Sequence, residues 1–256
     1  MAEAELRPRP LSRSRHGGWS WRHDDLGLAA ATCGPVAVGL AEVLPLAASM
    51  ALVFRKDGDC VETLALTRAN GARISPYVTR DGRFRGYCPV LLAVSPFLPD
   101  PGDAPEPRLW LDEASPLVKQ GPGGRVIFAP DGTATAAVGR AAKTLSHWLV
   151  ERGKARQAAM ALAREGLLRP LQHPAVSAGF TAVDSEGLAL AGPEVAARLQ
   201  AKGALGLAWA QCVSGAHLDM LAHHARSTSD RDETGDFLAA MTAAQSWTGG
   251  VGDAAS

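Results

Sequence analysis

Side chains that bind transition metals are concentrated late in the chain, between positions 212 and 224. On a helix, His217 and His224 would share one face, whereas Cys212 and Asp219 would share another. Zinc needs three or four ligands that converge on one point, and the spacing of two histidines four residues apart with a glutamate between them does not occur. We therefore predict no metal site and retain His217 and His224 as candidate ligands. The alternative is a polar helix end, where histidines suit the negative pole of the helix dipole.

A pair of carboxylates offers a second possible chemistry. Asp112 and Glu113 lie at the end of a predicted strand, and Ser115 follows them. Two carboxylates in such a position can act as general acid and general base. A pair of this kind also caps the turn that follows a strand, here together with Ser115. Asp112, Glu113 and Ser115 are therefore the candidate catalytic residues, and the assignment as a turn cap stays open.

Motifs for covalent catalysis and for nucleotide cofactors are missing from the sequence. The G-x-S-x-G pattern is absent, and helical geometry would separate Cys212 and Ser214 from His217. The glycine-rich run Gly121-Pro122-Gly123-Gly124 is followed by neither a Lys-Ser/Thr pair nor a helix, so we interpret it as a turn rather than a phosphate loop. We predict no cofactor.

Composition places the chain among ordinary globular proteins. Of its 256 residues, 46% are hydrophobic and 20% are charged, and 26 basic side chains balance 26 acidic ones. This balance gives no support to a nucleic-acid partner. The four cysteines include no closely spaced pair, which favours reduced thiols and a cytoplasmic location.

The segment from Leu26 to Phe54 is long and apolar, with Glu42 as its only charge. Gly34-Pro35 and Pro45 interrupt it, and many of its residues are alanines, which contribute little to membrane insertion. Asp24 and Asp25 precede it where a secretory signal carries positive charge. We therefore expect a buried segment and no transmembrane span.

Turn signals divide the first half of the chain into short strands. Met50–Arg55 and Val61–Arg68 flank Asp57-Gly58, and Ile74–Thr79 and Phe84–Val94 flank Asp81-Gly82. Two further strands are predicted at Arg108–Asp112 and Arg125–Ala129. An arginine- and proline-rich stretch, residues 1–25, precedes these strands and is predicted to be a disordered arm, although Trp19 and Trp21 could dock on the body.

The second half has helical periodicity. Apolar residues recur from Ala137 to Leu167, and Gly153 is expected to divide them into two helices. A hairpin is predicted across residues 184–187, then a helix from Gly192-Pro193 to Gly203 and another over 215–226. We predict an α+β fold, in which a strand-rich N-terminal half, an antiparallel meander, packs with a helix-rich C-terminal half. One domain is expected over residues 26–226, with a flexible tail over 227–256.

The order of these segments resembles the SapC family of bacterial proteins over roughly residues 35–225. The resemblance lies in many short matches in a common order rather than in one specific motif. They are Leu40-Ala41-Glu42, Ala47-Ala48, Leu52-Val53-Phe54, Tyr87-Cys88-Pro89, Ser95-Pro96-Phe97, Leu109-Trp110-Leu111-Asp112 with Ser115, Phe128 with Asp131-Gly132, Gly166-Leu167-Leu168, Pro170-Leu171, Phe180 with Val183-Asp184, Gly203-Ala204-Leu205 and Ala210-Gln211.

The resemblance implies a role without assigning catalytic residues. The family takes its name from a protein linked to a bacterial surface layer, and its members are often encoded near TonB-dependent outer-membrane receptors, halogenase-like proteins and cupin-like hydroxylases. We therefore expect a non-catalytic accessory or binding protein with a protein partner from neighbouring genes. The alternative is an enzyme, or the partner of one, that acts on a peptide or small molecule. The oligomeric state is left open.

Overall fold

The computed structural model describes residues 7–22, 34–72, 75–79, 83–101 and 108–228. Its strands are β1 (Pro8–Pro10), β2 (Trp19–Trp21), β3 (Val36–Ala37), β4 (Leu52–Asp57), β5 (Cys60–Ala65), β6 (Phe97–Leu98), β7 (Trp110–Asp112), β8 (Val118–Gln120), β9 (Arg125–Val126), β10 (Leu168–Pro170) and β11 (Phe180–Val183). Its helices are α1 (Arg13–His16), α2 (Val43–Ala47), α3 (Val90–Ala93), α4 (Ala136–Arg164), α5 (Ser185–Ala189), α6 (Pro193–Ala201) and α7 (Ala204–Ser214), with a short 3-10 helix at Leu40–Glu42. Residues 216–228 form a further helix, α8.

The central sheet has five strands in the order β10-β11-β4-β5-β3, and all its pairings are antiparallel. The predicted hairpin is confirmed: β4 and β5 pair from Leu52 opposite Ala65 to Asp57 opposite Cys60. Gly58 in the turn has a φ of 57°, a conformation that glycine adopts without steric cost. Residues of β4 and β5 lie in the main hydrophobic core together with α4 and α7, so this hairpin is the centre of the fold.

Two smaller sheets include the N-terminal segment. Strand β1 pairs with β7 in a sheet of order β1-β7-β6, and β2 lies between β8 and β9. Trp21 is only 4% exposed and meets the ring of Phe97 edge-on in a second core. Residues 7–22 are therefore not the disordered arm that the sequence predicts, because two strands and a buried indole attach them to the body. The rest of the predicted arm lies outside the described residues.

A single helix of 29 residues, α4, replaces the two helices expected around Gly153. A glycine inside a helix costs about 1 kcal/mol relative to alanine, which weakens a helix but does not by itself break it. Buried side chains occur on both sides of Gly153 and hold the helix against the sheets: Val138, Ala141, Leu145, Trp148, Ala155, Ala158, Ala159 and Leu162.

Tertiary pairing also overrides two other predictions. Strand β11 pairs with β10 and β4, and the expected hairpin over 184–187 is replaced by the short helix α5. The expected strand Phe84–Val94 does not form. Phe84 makes an isolated bridge with Val78, and residues 90–93 form the helix α3. Helix α6 begins at Pro193 as predicted. Residues 227 and 228 of the predicted tail belong to α8, and 229–256 lie outside the described residues.

The predicted α+β class is confirmed, with antiparallel sheets in the first half packed against helices of the second. Across the described part of the chain, no helix combines the length and the apolar character needed to cross a bilayer. The boundaries of a single domain at 26 and 226 stay a prediction.

A buried ion network fixes α4 to the central sheet. Glu62 of β5 is 4% exposed, and its two carboxylate oxygens accept hydrogen bonds from Arg152 Nε and Nη2 at 2.8 Å each. Arg156 Nε donates to Oε2 of Glu62 at 2.7 Å. Burial alone would raise the pKa of Glu62, but the hydrogen bonds and charges of the two arginines outweigh it and lower that pKa.

We expect Glu62→Gln to lower the free energy of unfolding by about 2–3 kcal/mol at pH 7, because two partly buried guanidinium groups lose their counter-charge. Since the folded state lowers the pKa of Glu62, this contribution is full above the ordinary value of 4.5 and is lost as the pH falls through the folded-state pKa. Urea unfolding of both proteins at pH 7 and at pH 3.5 measures both effects. The exposed Glu194→Gln is the control, and equal stabilities of Glu62→Gln and wild type at pH 7 would contradict the assignment.

We expect Gly153→Ala to raise the free energy of unfolding by about 0.5–1 kcal/mol, because alanine is the better helix former and a Cβ at this position meets no atom within 4 Å. Gly139→Ala, in the same helix and with equally open space, is the reference and should give a similar gain. Thermal or urea unfolding measures both variants. A loss of stability at position 153 together with a gain at 139 would indicate a break in α4.

Candidate binding cleft

A cleft of about 360 Å³ opens between the 3-10 helix, the segment before α3 and the middle of α4. Apolar and aromatic groups form most of its inner surface, and charged side chains stand at its rim. The residues that line it are Ala41, Glu42, Tyr87, Val90, Lys143, Thr144, His147, Trp148 and Glu151.

Glu42 is the buried acid of this cleft, only 4% exposed. The backbone N–H of Gly39 donates to its Oε2 at 2.9 Å, and the backbone N–H of Val90 donates to its Oε1 at 2.7 Å. The first bond closes the 3-10 turn, and the second joins that turn to the N-terminus of α3. One carboxylate therefore holds two walls of the cleft together, although 48 residues separate Glu42 from Val90.

Burial has marked electrostatic consequences here. It raises the pKa of Glu42, while the N–H groups of Gly39 and Val90 and the indole of Trp148 act in the opposite direction. Burial and the charge of Glu42 raise the pKa of Cys88 to about 12, which keeps this thiol protonated. Burial, followed by the charge of Glu42, also raises the pKa of Tyr87. Tyr87 and Cys88 are therefore neutral at physiological pH.

Helix α4 supplies the floor and the rim of the cleft. Trp148 is 3% exposed, and Lys143, His147 and Glu151 follow one another at helical spacing along the rim. Glu151 Oε2 accepts the backbone N–H of Ala41 at 3.1 Å, which ties the 3-10 helix directly to α4. A Cβ at Gly39 would lie 2.7 Å from the Cβ of Glu151, so only glycine permits this close approach.

The arrangement is suited to recognition. A preformed cleft with an apolar interior and a few polar groups at its rim is the usual form of a binding site for a small molecule or a side chain. The two oxygens of Glu42 already accept backbone N–H groups, so this carboxylate maintains the shape of the cleft. Lys143 and His147 at the rim remain available to orient a bound polar group.

The carboxylates proposed for catalysis lie elsewhere and bind the N-terminal segment. Asp112 Oδ1 accepts the backbone N–H of Arg7 at 2.9 Å and that of Ala114 at 3.1 Å. Glu113 forms a two-pronged ion pair with Arg15, with a distance of 2.8 Å from Nη2 to Oε2, and a contact with His16 Nε2 at 3.1 Å. The hydrogen bond from Arg15 lowers the pKa of Glu113.

Ser115 closes the turn after β7: its Oγ accepts the backbone N–H of Leu117 at 3.3 Å. The hydrogen-bond pattern of Asp112, Glu113 and Ser115 thus corresponds to the turn-cap alternative, extended by a clasp on residues 7–16. None of the three lines the Glu42 cleft.

Within the part of the chain that the structure describes, His217 and His224 do not belong to a cluster of metal ligands. His217 Nε2 lies 3.2 Å from the carbonyl oxygen of Ala47, so this nitrogen donates a hydrogen bond rather than binding a metal. His224 lies two turns further along α8. Over the described residues, no group of three or more His, Cys, Asp or Glu side chains has an arrangement that could hold a metal ion.

The residues that line the cleft cannot be predicted as a group from the sequence, although one of them, Glu42, stands out. Glu42 is the only charge between Leu26 and Phe54, and an isolated acid in an apolar segment needs either a partner or a function. Trp148 lies within the apolar periodicity expected from Ala137 to Leu167 and is buried. The positions of Tyr87 and Val90 beside Glu42 depend on long-range packing that no local pattern predicts.

The fold defines the class of protein: it is an α+β chain with a preformed cleft between a 3-10 turn and a long helix. The family model described as SapC matches residues 11–221, and the chain belongs to the SapC family. Neither the curated proteins nor the solved structures include a match to this chain. Two of the segments that carry the family resemblance, Leu40-Ala41-Glu42 and Tyr87-Cys88-Pro89, meet at the cleft.

We expect Glu113→Gln to release the N-terminal segment, because the neutral amide loses the ion pair with Arg15 and the contact with His16. Trypsin should then cleave after Arg15 about threefold faster or more, since cleavage follows the population of the opened segment. Timed digestion with mass spectrometry measures the rate. Glu165→Gln, which breaks a similar ion pair with Arg198, is the matched control. Equal cleavage rates in all three proteins would mean that Glu113 does not hold the segment.

Proposed function

We propose that this SapC-family chain is a non-catalytic binding protein and that the Glu42 cleft is its binding site. One observation carries the proposal: the buried carboxylate of Glu42 accepts backbone N–H groups from two separate segments and so preforms an apolar cleft with a charged rim. A preformed site loses little conformational entropy when it binds, which favours recognition.

The cleft is suited to one apolar group of a partner molecule. Its volume of about 360 Å³ corresponds to a large side chain or a small ligand rather than to an extended polymer. Tyr87, Val90 and Trp148 provide the apolar contact, and Lys143, His147 and Glu151 surround the entrance. A peptide segment with a hydrophobic anchor, or a small molecule with a polar substituent, satisfies both parts of this surface.

The cellular setting in this proposal follows from the family resemblance. The partner is a protein encoded by neighbouring genes and associated with the surface layer or with TonB-dependent uptake through the outer membrane. The chain itself acts in the cytoplasm. Fractionation of cells that carry an epitope-tagged chromosomal copy tests the location, and recovery in the envelope fraction alone would contradict it.

A site-specific photocrosslink tests the binding function. We expect p-benzoylphenylalanine at rim position 143 to capture a defined partner in cells of the source bacterium, whereas the same group at position 190, an exposed site outside the cleft, does not. Ala41→Trp should abolish the crosslink because the indole fills the cleft, and Ala48→Trp on the same segment should leave it unchanged. Equal capture at positions 143 and 190, or capture that survives Ala41→Trp, would refute the proposed site.

The rival function is an enzyme, and one observation favours it: Glu42 is a carboxyl group with a raised pKa in a cleft, a property of many general acids. Glu42→Gln separates the two functions. An enzyme would lose its cellular phenotype while the crosslink at position 143 persisted, whereas a binding protein would change the two together. Circular dichroism and the unfolding midpoint establish that the variant is folded.

A further inference from the structure

A second cavity, of about 490 Å³, is formed by residues entirely different from those of the Glu42 cleft. One end of β4, the chain after β5 and the loop before β11 contribute to its walls. Leu66, Val176 and Phe180 give it an apolar side, and Arg55, Arg68 and Ser177 give it a polar side. It is larger than the Glu42 cleft, whose volume is about 360 Å³.

The charged side chains in the described lining of this cavity are basic. Two arginines line it, and its described lining includes no aspartate or glutamate. The guanidinium carbon of Arg55 lies 5.9 Å from the centroid of the Phe180 ring, a cation–π geometry that orients the group over the apolar side. Within the described residues, no carboxylate lies within ion-pair distance of Arg55.

The walls are held in place by hydrogen bonds between segments. The backbone N–H of Asn70 donates to the carbonyl oxygen of Ala175 at 2.7 Å and joins the two loops that face each other. Arg68 Nη1 donates to the carbonyl oxygen of Ala72 at 3.2 Å, which fixes the direction of the side chain. Ser75 Oγ donates to the carbonyl oxygen of Thr67 at 2.6 Å and braces the base of the same loop. The cavity is therefore formed before any ligand enters.

We propose that this cavity is an oxyanion-binding site that accepts a carboxylate or a phosphate ester attached to an apolar group. The guanidinium group of Arg55 matches the planar geometry of such anions, and the hydroxyl of Ser177 offers a further donor. The apolar part of the ligand packs on Leu66, Val176 and Phe180. The argument uses no residue of the Glu42 cleft, so this site stands independently of the proposed function.

Titration calorimetry with the full chain tests the site, using phenyl phosphate and benzoate as probes and benzyl alcohol and benzylamine as neutral and cationic counterparts. We expect at least one anionic probe to bind at least tenfold more tightly than either counterpart, and to bind more weakly as salt increases. Preference between the two anions identifies phosphate or carboxylate as the natural group. Equal affinity for phenyl phosphate, benzoate and benzyl alcohol would overturn the proposal.

Variants locate the binding within the chain. Arg55→Gln should weaken binding of the preferred anion about tenfold, because the exposed side chain contributes charge and little packing. Arg55→Lys should recover part of the affinity, because it keeps the charge and loses only the planar fork. Arg164→Gln removes one positive charge from an exposed position on α4 outside the cavity and should change the affinity less than twofold. Equal losses for Arg55→Gln and Arg164→Gln would show that the anion binds through net charge and would refute the site.

Discussion

The carboxylate of Glu62, held between Arg152 and Arg156, is the interaction on which the rest of the structure depends. It fixes the position of α4 along the central sheet, because two arginines four residues apart must meet one acid on β5. The turn of α4 just before Arg152 carries Trp148, and the guanidinium of Arg152 lies 5.5 Å from the centroid of its indole ring. The floor and the rim of the cleft are thus set by an ion network in the main body.

The two buried glutamates show how the choice of partner decides the role of a carboxylate. Both are 4% exposed, yet the pKa of Glu62 is lowered and that of Glu42 is raised. Glu62 has two cationic partners, which outweigh the cost of burial, whereas the described partners of Glu42 are neutral N–H donors, which do not. Glu62 therefore contributes electrostatic stability at neutral pH. Glu42 instead shapes the cleft and places a carboxyl group with a raised pKa in its lining.

The described polar side chains mostly organise the backbone. Asp112 and Glu113 fasten the N-terminal segment, and Glu151 fastens the 3-10 helix. Two open surfaces formed by the described residues differ in character: one is a mainly apolar cleft with a mixed rim, and the other is a cavity lined by two arginines. Two preformed surfaces of different chemistry are suited to different ligands.

The sequence by itself determined the α+β class, the β4–β5 hairpin, the start of α6 at Pro193 and the membership suggested by the ordered family segments. These features depend on local periodicity, on turn residues and on proline geometry, all of which act within a few residues. Glu42 stands out in the sequence as an isolated acid, but its partner Val90 lies 48 residues away, and no local pattern predicts that contact.

Only the tertiary structure decided that α4 continues through Gly153, that residues 7–22 pair with the body, and that residues 185–189 are helical rather than part of a hairpin. In α4, burial of side chains on both sides of Gly153 outweighs a local cost of about 1 kcal/mol. In the other two segments, strand pairing with distant residues or burial decides the conformation. The two proposed binding surfaces are also decided by the tertiary structure. They arise where segments far apart in the chain meet, and a one-dimensional pattern contains no signal for such meetings.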